Sequence, residues 1–335
     1  MIIRDKQELR KCVKQCVRRA EVIETDAAPG TVSGEYGIEA YLGNRASGAP
    51  SLQGAFEGAC GGSPLACQPS ALLAALDALQ LPIHDLDKAE CIVKGYDHDA
   101  YLAAVLDAMR ARKVLVRTEP DEAGAEAHSD GRLGHLVVAG QSLFRSGRYG
   151  VDYKSAAGRL AEAMRELNAI DVAPDCFSES VLRYCLIPVC EDEHAVLHVH
   201  AETEEQLVAL LDMLDEHRDV RAVVSTEEAV EPLLIRRAAS ARQILVQLRS
   251  VRNVLVALHT LGTRFIPYAS CAQSPEAMLG GWIQAREALW QALYDAYLLL
   301  ARTGYELTRE RIEADVQMLL GGNYEMLHQT ITDSE

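Results

Sequence analysis

Residues Leu258–Tyr297 read LHTLGTRFIPYASCAQSPEAMLGGWIQAREALWQALYDAY. Within them Arg264-Phe265-Ile266-Pro267-Tyr268 has the composition of a short strand, and a Ser270-Cys271-Ala272 turn follows. Pro275 then opens a long helical pattern that carries Trp282 and Trp290, in keeping with proline's tolerance at a first helical turn. A strand, a turn and a long helix make one step of a parallel α/β fold. In a barrel of parallel strands, chemistry gathers where a strand ends and its loop begins. Ser270, Cys271 and Ala272 therefore mark a candidate site.

Upstream the same step repeats. The patterns predict strands over 195–200, 221–226 and 243–247, each followed by a helix, over 202–217, 227–240 and 249–261. Strands alternating with helices of this length imply βαβ units and a parallel sheet. Further back the rhythm loosens. Leu9, Val13 and Val17 predict an amphipathic helix over 5–20, with a short strand over 21–25 behind it. Helices are expected over 70–79, 97–112 and 154–168, and strands over 113–118 and 133–139. That makes seven strands. Leu182 to Val189 supplies an eighth, or else the barrel is incomplete. Residues 27–70, rich in Gly, Ala, Ser and Pro, read as an irregular insertion after the first strand, and such long loops carry function or are disordered. Beyond the long helix, Thr308 caps one more helix that Gly321-Gly322 closes. The expected architecture is an α/β fold, a (β/α)8 TIM-type barrel, as one domain over 1–330 with a tail over 331–335.

Composition narrows the function. At 335 residues and 49% hydrophobic residues, a large core is available, built on Ala, Leu and Val because only four Phe and two Trp occur. The net charge of −16 argues against a nucleic-acid groove, which needs clustered basic surface, and against an anionic membrane surface. A local pocket on an acidic protein can still be positive, so a small anion stays open as a ligand. No apolar run approaches the roughly 20 residues that span a bilayer, and the charged first twenty residues lack the apolar core of a signal peptide. A cytoplasmic location is the default. The nine scattered cysteines contain no CxxC pair and read as reduced thiols. A homo-oligomer is compatible with the chain.

Several stretches resemble one family. Val22-Ile23-Glu24-Thr25-Asp26-Ala27-Ala28 is similar to the first strand of the uronate isomerases of the amidohydrolase superfamily. Tyr36 to Leu42 resembles their "Gly-Ile-Asp-Glu-Leu-Leu" loop, and Lys113 to Pro120 resembles their "Val-Met-Thr-Asn-Asp-Pro" strand end. Trp282 and Arg286 match a Trp-x-x-x-Arg pair, and Asp315, Gly322, Asn323 and Tyr324 match the closing segment. The resemblance implies proton shuttling between C1 and C2 of an open-chain uronate in hexuronate breakdown, with a single divalent ion, zinc or manganese, orienting the sugar oxygens. It also implies which positions carry that chemistry. Asp26 and Ala28 stand where the family has its metal-binding His-x-His pair, and Cys271 stands where it has an Asp. Arg45 is the nearest match to a His that works on the sugar.

The residues themselves leave three readings. The first is a diverged isomerase-like barrel, a pseudoenzyme with weak or lost activity and no cofactor, in which Cys271, Asp26 and Arg45 hold the old catalytic places. The second is a binding or regulatory barrel for a small anionic sugar acid, with Arg117, Arg286 and Trp282 lining the pocket and Arg45 and Arg264 beside them, because guanidinium pairs bidentately with carboxylate. The third is a metal-dependent hydrolase or isomerase with a rebuilt site. His198 and His200 lie two apart on a strand, so both point to one face, where they meet Glu202 or Cys271. In that reading Cys271 also serves as a nucleophile with His200 or His259 as its base. His98 follows Asp97 at a helix start, where an acid is expected as a cap rather than a ligand.

Overall fold

The computed structural model describes residues 3, 5–28, 56, 67–118, 131–144, 152–164, 169–272 and 274–329. The chain opens with α1 (Lys6–Arg19), capped by the Asp5 side chain on the Glu8 N–H at 2.7 Å. It then enters β1 (Val22–Ala27). Beyond the insertion come α2 (Cys67–Ala78), α3 (Leu86–Lys94) and α4 (His98–Met109), the last two with Asp85 and Asp97 as caps. β2 (Ala111–Thr118), β3 (Leu133–Ala139), α5 (Tyr153–Met164) and β4 (Ala169–Val172) follow. Glu179–Val181, Leu182–Leu186 and Ile187–Asp192 then run on as one helical stretch, α6.

The regular half comprises β5 (Val196–Ala201), α7 (Glu204–Glu216), β6 (Arg221–Thr226), α8 (Glu231–Ala238), β7 (Ile244–Gln247), α9 (Val254–Leu261), β8 (Phe265–Ile266) and α10 (Pro275–Arg302). α11 (Arg309–Gln317) and α12 (Asn323–Gln329) close the described chain. A π-type turn joins them with a kink at Gly321.

The strands form one parallel sheet in chain order, β1 to β8. The helices described between successive strands pack on the outer face of the sheet, which gives a TIM-type α/β barrel. Among the described residues no ladder joins β8 back to β1, so the barrel is incomplete at that seam. Side chain and backbone bridge it instead. The Glu24 carboxylate accepts the Ser270 N–H at 3.1 Å, and the Ala28 N–H donates to the Ala272 carbonyl at 3.1 Å.

The eighth strand is β4. Leu182 to Val189, expected as a strand, is helical because its buried residues Leu182, Cys185, Leu186 and Val189 recur at helical spacing. α3 and β4 escape sequence reading because they are short. The closing helix does not stop at Gly321-Gly322 but kinks there and continues as α12. No helix among the described residues is long and apolar enough to cross a membrane.

Alternation along the strands sorts the interior into layers. Ile23, Leu115, Leu136, Ala169, Val196, Val223, Leu245 and Ile266, one from each strand, form an apolar floor against which Tyr324 of α12 packs. Asn323 fixes that plug by donating to the Phe265 carbonyl at 3.1 Å. Two residues further along, six of these strands carry Thr25, Arg117, Asp171, His198, Ser225 and Gln247, while β3 carries Val138 and Tyr268 follows β8, so polarity begins one layer above the floor. The sequence-expected tail residues are therefore structural: Tyr324 floors the barrel, and Asp315 accepts the Tyr297 hydroxyl at 2.8 Å.

Candidate functional site

Asp26 lies at the centre of the barrel mouth. A register shift in the β1–β2 ladder between Glu24 and Ala27 sets its side chain toward the open end. Its Oδ1 receives Arg117 of β2 at 2.6 Å. Its Oδ2 receives Arg249, just past β7, at 3.3 Å and the Cys271 thiol at 2.8 Å. Burial works against the Asp26 charge, but the Arg117 and Arg249 guanidinia outweigh it and hold the carboxyl below its usual range.

Arg117 also pairs with Asp171 of β4 at 3.0 Å through Nε. That contact is an ion pair rather than a well-aligned hydrogen bond, since Arg117 Nε and Asp171 Oδ2 are both buried without a hydrogen-bond partner. Burial, only partly offset by Arg117, pushes Asp171 up to about 7.

Arg249 reaches the other way as well, to His200 Nε2 at 3.0 Å. The His200 Nδ1 meets Ser225 Oγ at 3.1 Å. Glu227 Oε1 lies 3.2 Å from the same Nε2. A guanidinium has only donors, so Nε2 is the acceptor and the Glu227 carboxylate finds no proton there. Burial first, and Arg249 second, hold the imidazole in its neutral form.

The loop bearing Arg249 is held from below. Buried Glu231 accepts the backbone N–H of Arg249 at 2.8 Å and the Asn253 side chain at 2.6 Å. On the far side, buried Glu24 accepts from the Asp26 N–H at 2.8 Å, from Ser270 and from the Trp282 indole at 2.7 Å. Burial lifts the Glu24 pKa, and these three donors oppose it. Cys271 has φ +46, the left-handed conformation disfavoured for a side chain, which turns its sulfur toward Asp26. Burial and the facing Asp26 carboxylate push its thiol pKa up, so the sulfur stays protonated and is a poor nucleophile.

The structure thus brings Asp26, Arg117 and Cys271 of the expected set together and adds Arg249, Asp171 and Glu24. Arg45 lies outside the described residues, as does the Tyr36 to Leu42 loop. Trp282 does not line the mouth: its N–H supports Glu24, its ring meets Tyr268 edge-on at 5.4 Å, and with Arg286 it lines a separate cavity of about 230 Å³ beside Met109 and Arg110.

Arg286 is not at the mouth at all. Its guanidinium donates to the backbone carbonyls of Val17, Ala20 and Met109, tying α10 to the ends of α1 and α4. Arg264 likewise donates to the Ala238 carbonyl at 2.9 Å, below the sheet. His198 and His200 do share the inner face but do not converge on one ion. His198 sits a layer deeper, where Tyr324 Oη lies 3.4 Å from its Nε2 and burial holds it down to about 3. Glu202 is exposed, and its backbone N–H pairs with Gln206 at 2.8 Å, so it does not join them. His259 is exposed on α9.

A divalent ion does not fit these donors as they stand. Among the described residues no group of three or more His, Cys, Asp or Glu is placed to hold one. Asp26 and His200 each face a guanidinium, and Ala28 offers no donor. Arg249 was within reach of sequence reading, since alternation from Leu245 through Gln247 puts it on the inner face. Asp171 was not, because its strand is only four residues long.

No family model matches the chain, and no curated protein matches it. Among solved structures, the chain is similar to a uronate isomerase from Bacillus halodurans C-125, with a TM-score of 0.81 and 17% sequence identity over 97% of each chain. That likeness shows a shared barrel fold.

Proposed function

We propose that the chain is a uronate-isomerase-like barrel that binds a small anionic sugar acid at its mouth without metal-assisted isomerisation. The observation that carries this reading is the pair of guanidinia, Arg117 and Arg249, converging on Asp26 from either side of β1. Their side chains are 27% and 24% exposed, so each keeps an open face toward the mouth. A ligand carboxylate pairs with such faces bidentately. Neutral His200 at the rim, and Asp171 one layer below it beside Arg117, suit sugar hydroxyls. The similarity to a uronate isomerase supports the choice of a sugar acid over other small anions.

Titration calorimetry with glucuronate and galacturonate tests this. Binding is expected, with affinity weakened in Arg249→Lys and Arg117→Lys, which keep the charge and lose the planar fork. No heat, together with no rise in melting temperature at millimolar uronate, would overturn it.

One observation favours a second reading, a residual isomerase. Asp171, buried beside Arg117 one layer below the rim and held up to about 7, is a carboxyl able to take and return a proton near neutral pH. Slow conversion of a uronate to its keto form, abolished by Asp171→Asn, would select that reading.

A further inference from the structure

Three donors of different chemistry lie around the Arg249 side chain: an imidazole nitrogen from the end of β5, a carboxylate oxygen from the end of β1, and a thiol from the turn after β8 that donates to that carboxylate. These are the donor types that zinc takes. What lies among them is the guanidinium of Arg249, 3.0 Å from His200 Nε2 and 3.3 Å from Asp26 Oδ2, with the Cys271 thiol on that same oxygen at 2.8 Å.

We infer that the Arg249 guanidinium is the resident cation of this barrel, built into the place where His200, Asp26 and Cys271 would otherwise gather a divalent ion. Three further features fit. The His200 ring is set as a ligating imidazole is set, with Nε2 as the inward acceptor and Nδ1 held by Ser225 at 3.1 Å. The backbone of Arg249 is fixed by Glu231 at 2.8 Å, which aims the side chain inward. The guanidinium Nε is buried without a hydrogen-bond partner among the described residues, so the group is placed for its charge rather than for complete hydrogen bonding. A fixed side-chain cation supplies positive charge that cannot dissociate, be chelated or be exchanged between metals. It gives up the open coordination position through which a metal binds and polarises substrate.

The inference concerns the cation alone and does not require the ligand to be a sugar acid. The test is cobalt(II) titration of the untagged protein, read by visible absorption and by melting temperature. Wild type is expected to take up no cobalt at the mouth. Arg249→Ala is expected to bind a single equivalent, with the Cys271 proton released to solvent as the sulfur–cobalt bond forms. The resulting thiolate-to-cobalt band should vanish in Arg249→Ala/Cys271→Ser. Methylguanidinium should compete with cobalt for the vacated space and restore the melting temperature.

Two results would overturn the inference. One is a single equivalent of cobalt bound by wild type and lost in His200→Ala. The other is a folded Arg249→Ala that takes up neither cobalt nor methylguanidinium. Should Arg249→Ala not fold, the wild-type titration with its His200→Ala control decides alone. A protein that excludes cobalt yet ignores every uronate would sink the sugar-acid reading and leave this one standing.

Discussion

The indole N–H of Trp282 donates to Glu24 Oε2 at 2.7 Å, across 258 positions of sequence. It ties the long helix α10 to the first strand at the seam where the sheet does not close. The same carboxylate accepts the Ser270 and Asp26 N–H groups, so one buried acid organises the seam and the backbone beneath the mouth. Trp282→Phe keeps an aromatic ring but removes the donor and part of the buried indole volume. It is expected to cost about 1–3 kcal/mol, the order of one lost buried hydrogen bond to an acid together with the lost ring volume. Urea unfolding measures it, and an unchanged midpoint would show that the seam does not depend on this bond.

Glu231 acts on the mouth only through Arg249. Glu231→Gln keeps the shape but weakens the hold on the Arg249 and Ser250 N–H groups, because a neutral acceptor is roughly half as strong as an ionised one. Affinity for glucuronate should fall several-fold. The added loss caused by Arg249→Lys should shrink in the Glu231→Gln background, since the two act along one path. Additive effects in calorimetry would mean that Glu231 holds the fold and does not aim the guanidinium.

Acid should destabilise the protein through His198. The unfolded residue takes its proton near pH 6.5, while burial against Tyr324, with His328 also nearby, holds the folded residue down to about 3. Between those values the unfolded chain binds more protons. Stability is therefore complete above about pH 6.5 and is lost as pH falls toward 3, at about 1.4 kcal/mol per pH unit for this one group. His328, held down to about 4, adds in the same direction. Urea midpoints at pH 7 and pH 5 should differ accordingly. His198→Gln, which cannot titrate, should flatten the slope, and an equal slope in both proteins would refute the assignment.

Gly280 lets α10 approach α2. A Cβ at this position would lie 2.4 Å from the Ala71 carbonyl oxygen, a backbone atom that cannot swing aside. Gly280→Ala should destabilise by about 1–3 kcal/mol, as overpacking does, despite alanine's better helix propensity. A thermal melt at or above the wild-type temperature would show that the two helices slide apart at little cost.

The order of elements was written in the sequence wherever patterns are long and local. α1 follows from apolar spacing and α10 from Pro275 at its first turn, and β6 follows from an apolar run before a helix. The placement of His198 and His200 on one inner face follows from strand alternation alone. The short elements α3 and β4 gave too few residues for any period to emerge, and so Asp171 stayed hidden.

Only the tertiary structure decided what each polar residue does. Arg117 and Arg286 look alike in sequence. One ends at the mouth because it is inward-facing at the top of a strand, and the other ends on backbone carbonyls because its helix crosses the ends of α1 and α4. Asp26, Arg249 and Cys271 meet across more than two hundred residues because the sheet curls its first and seventh strands, and the turn after its eighth, to one rim. Local sequence set which face each side chain takes. Barrel curvature, a long-range property of packing, set which charges meet.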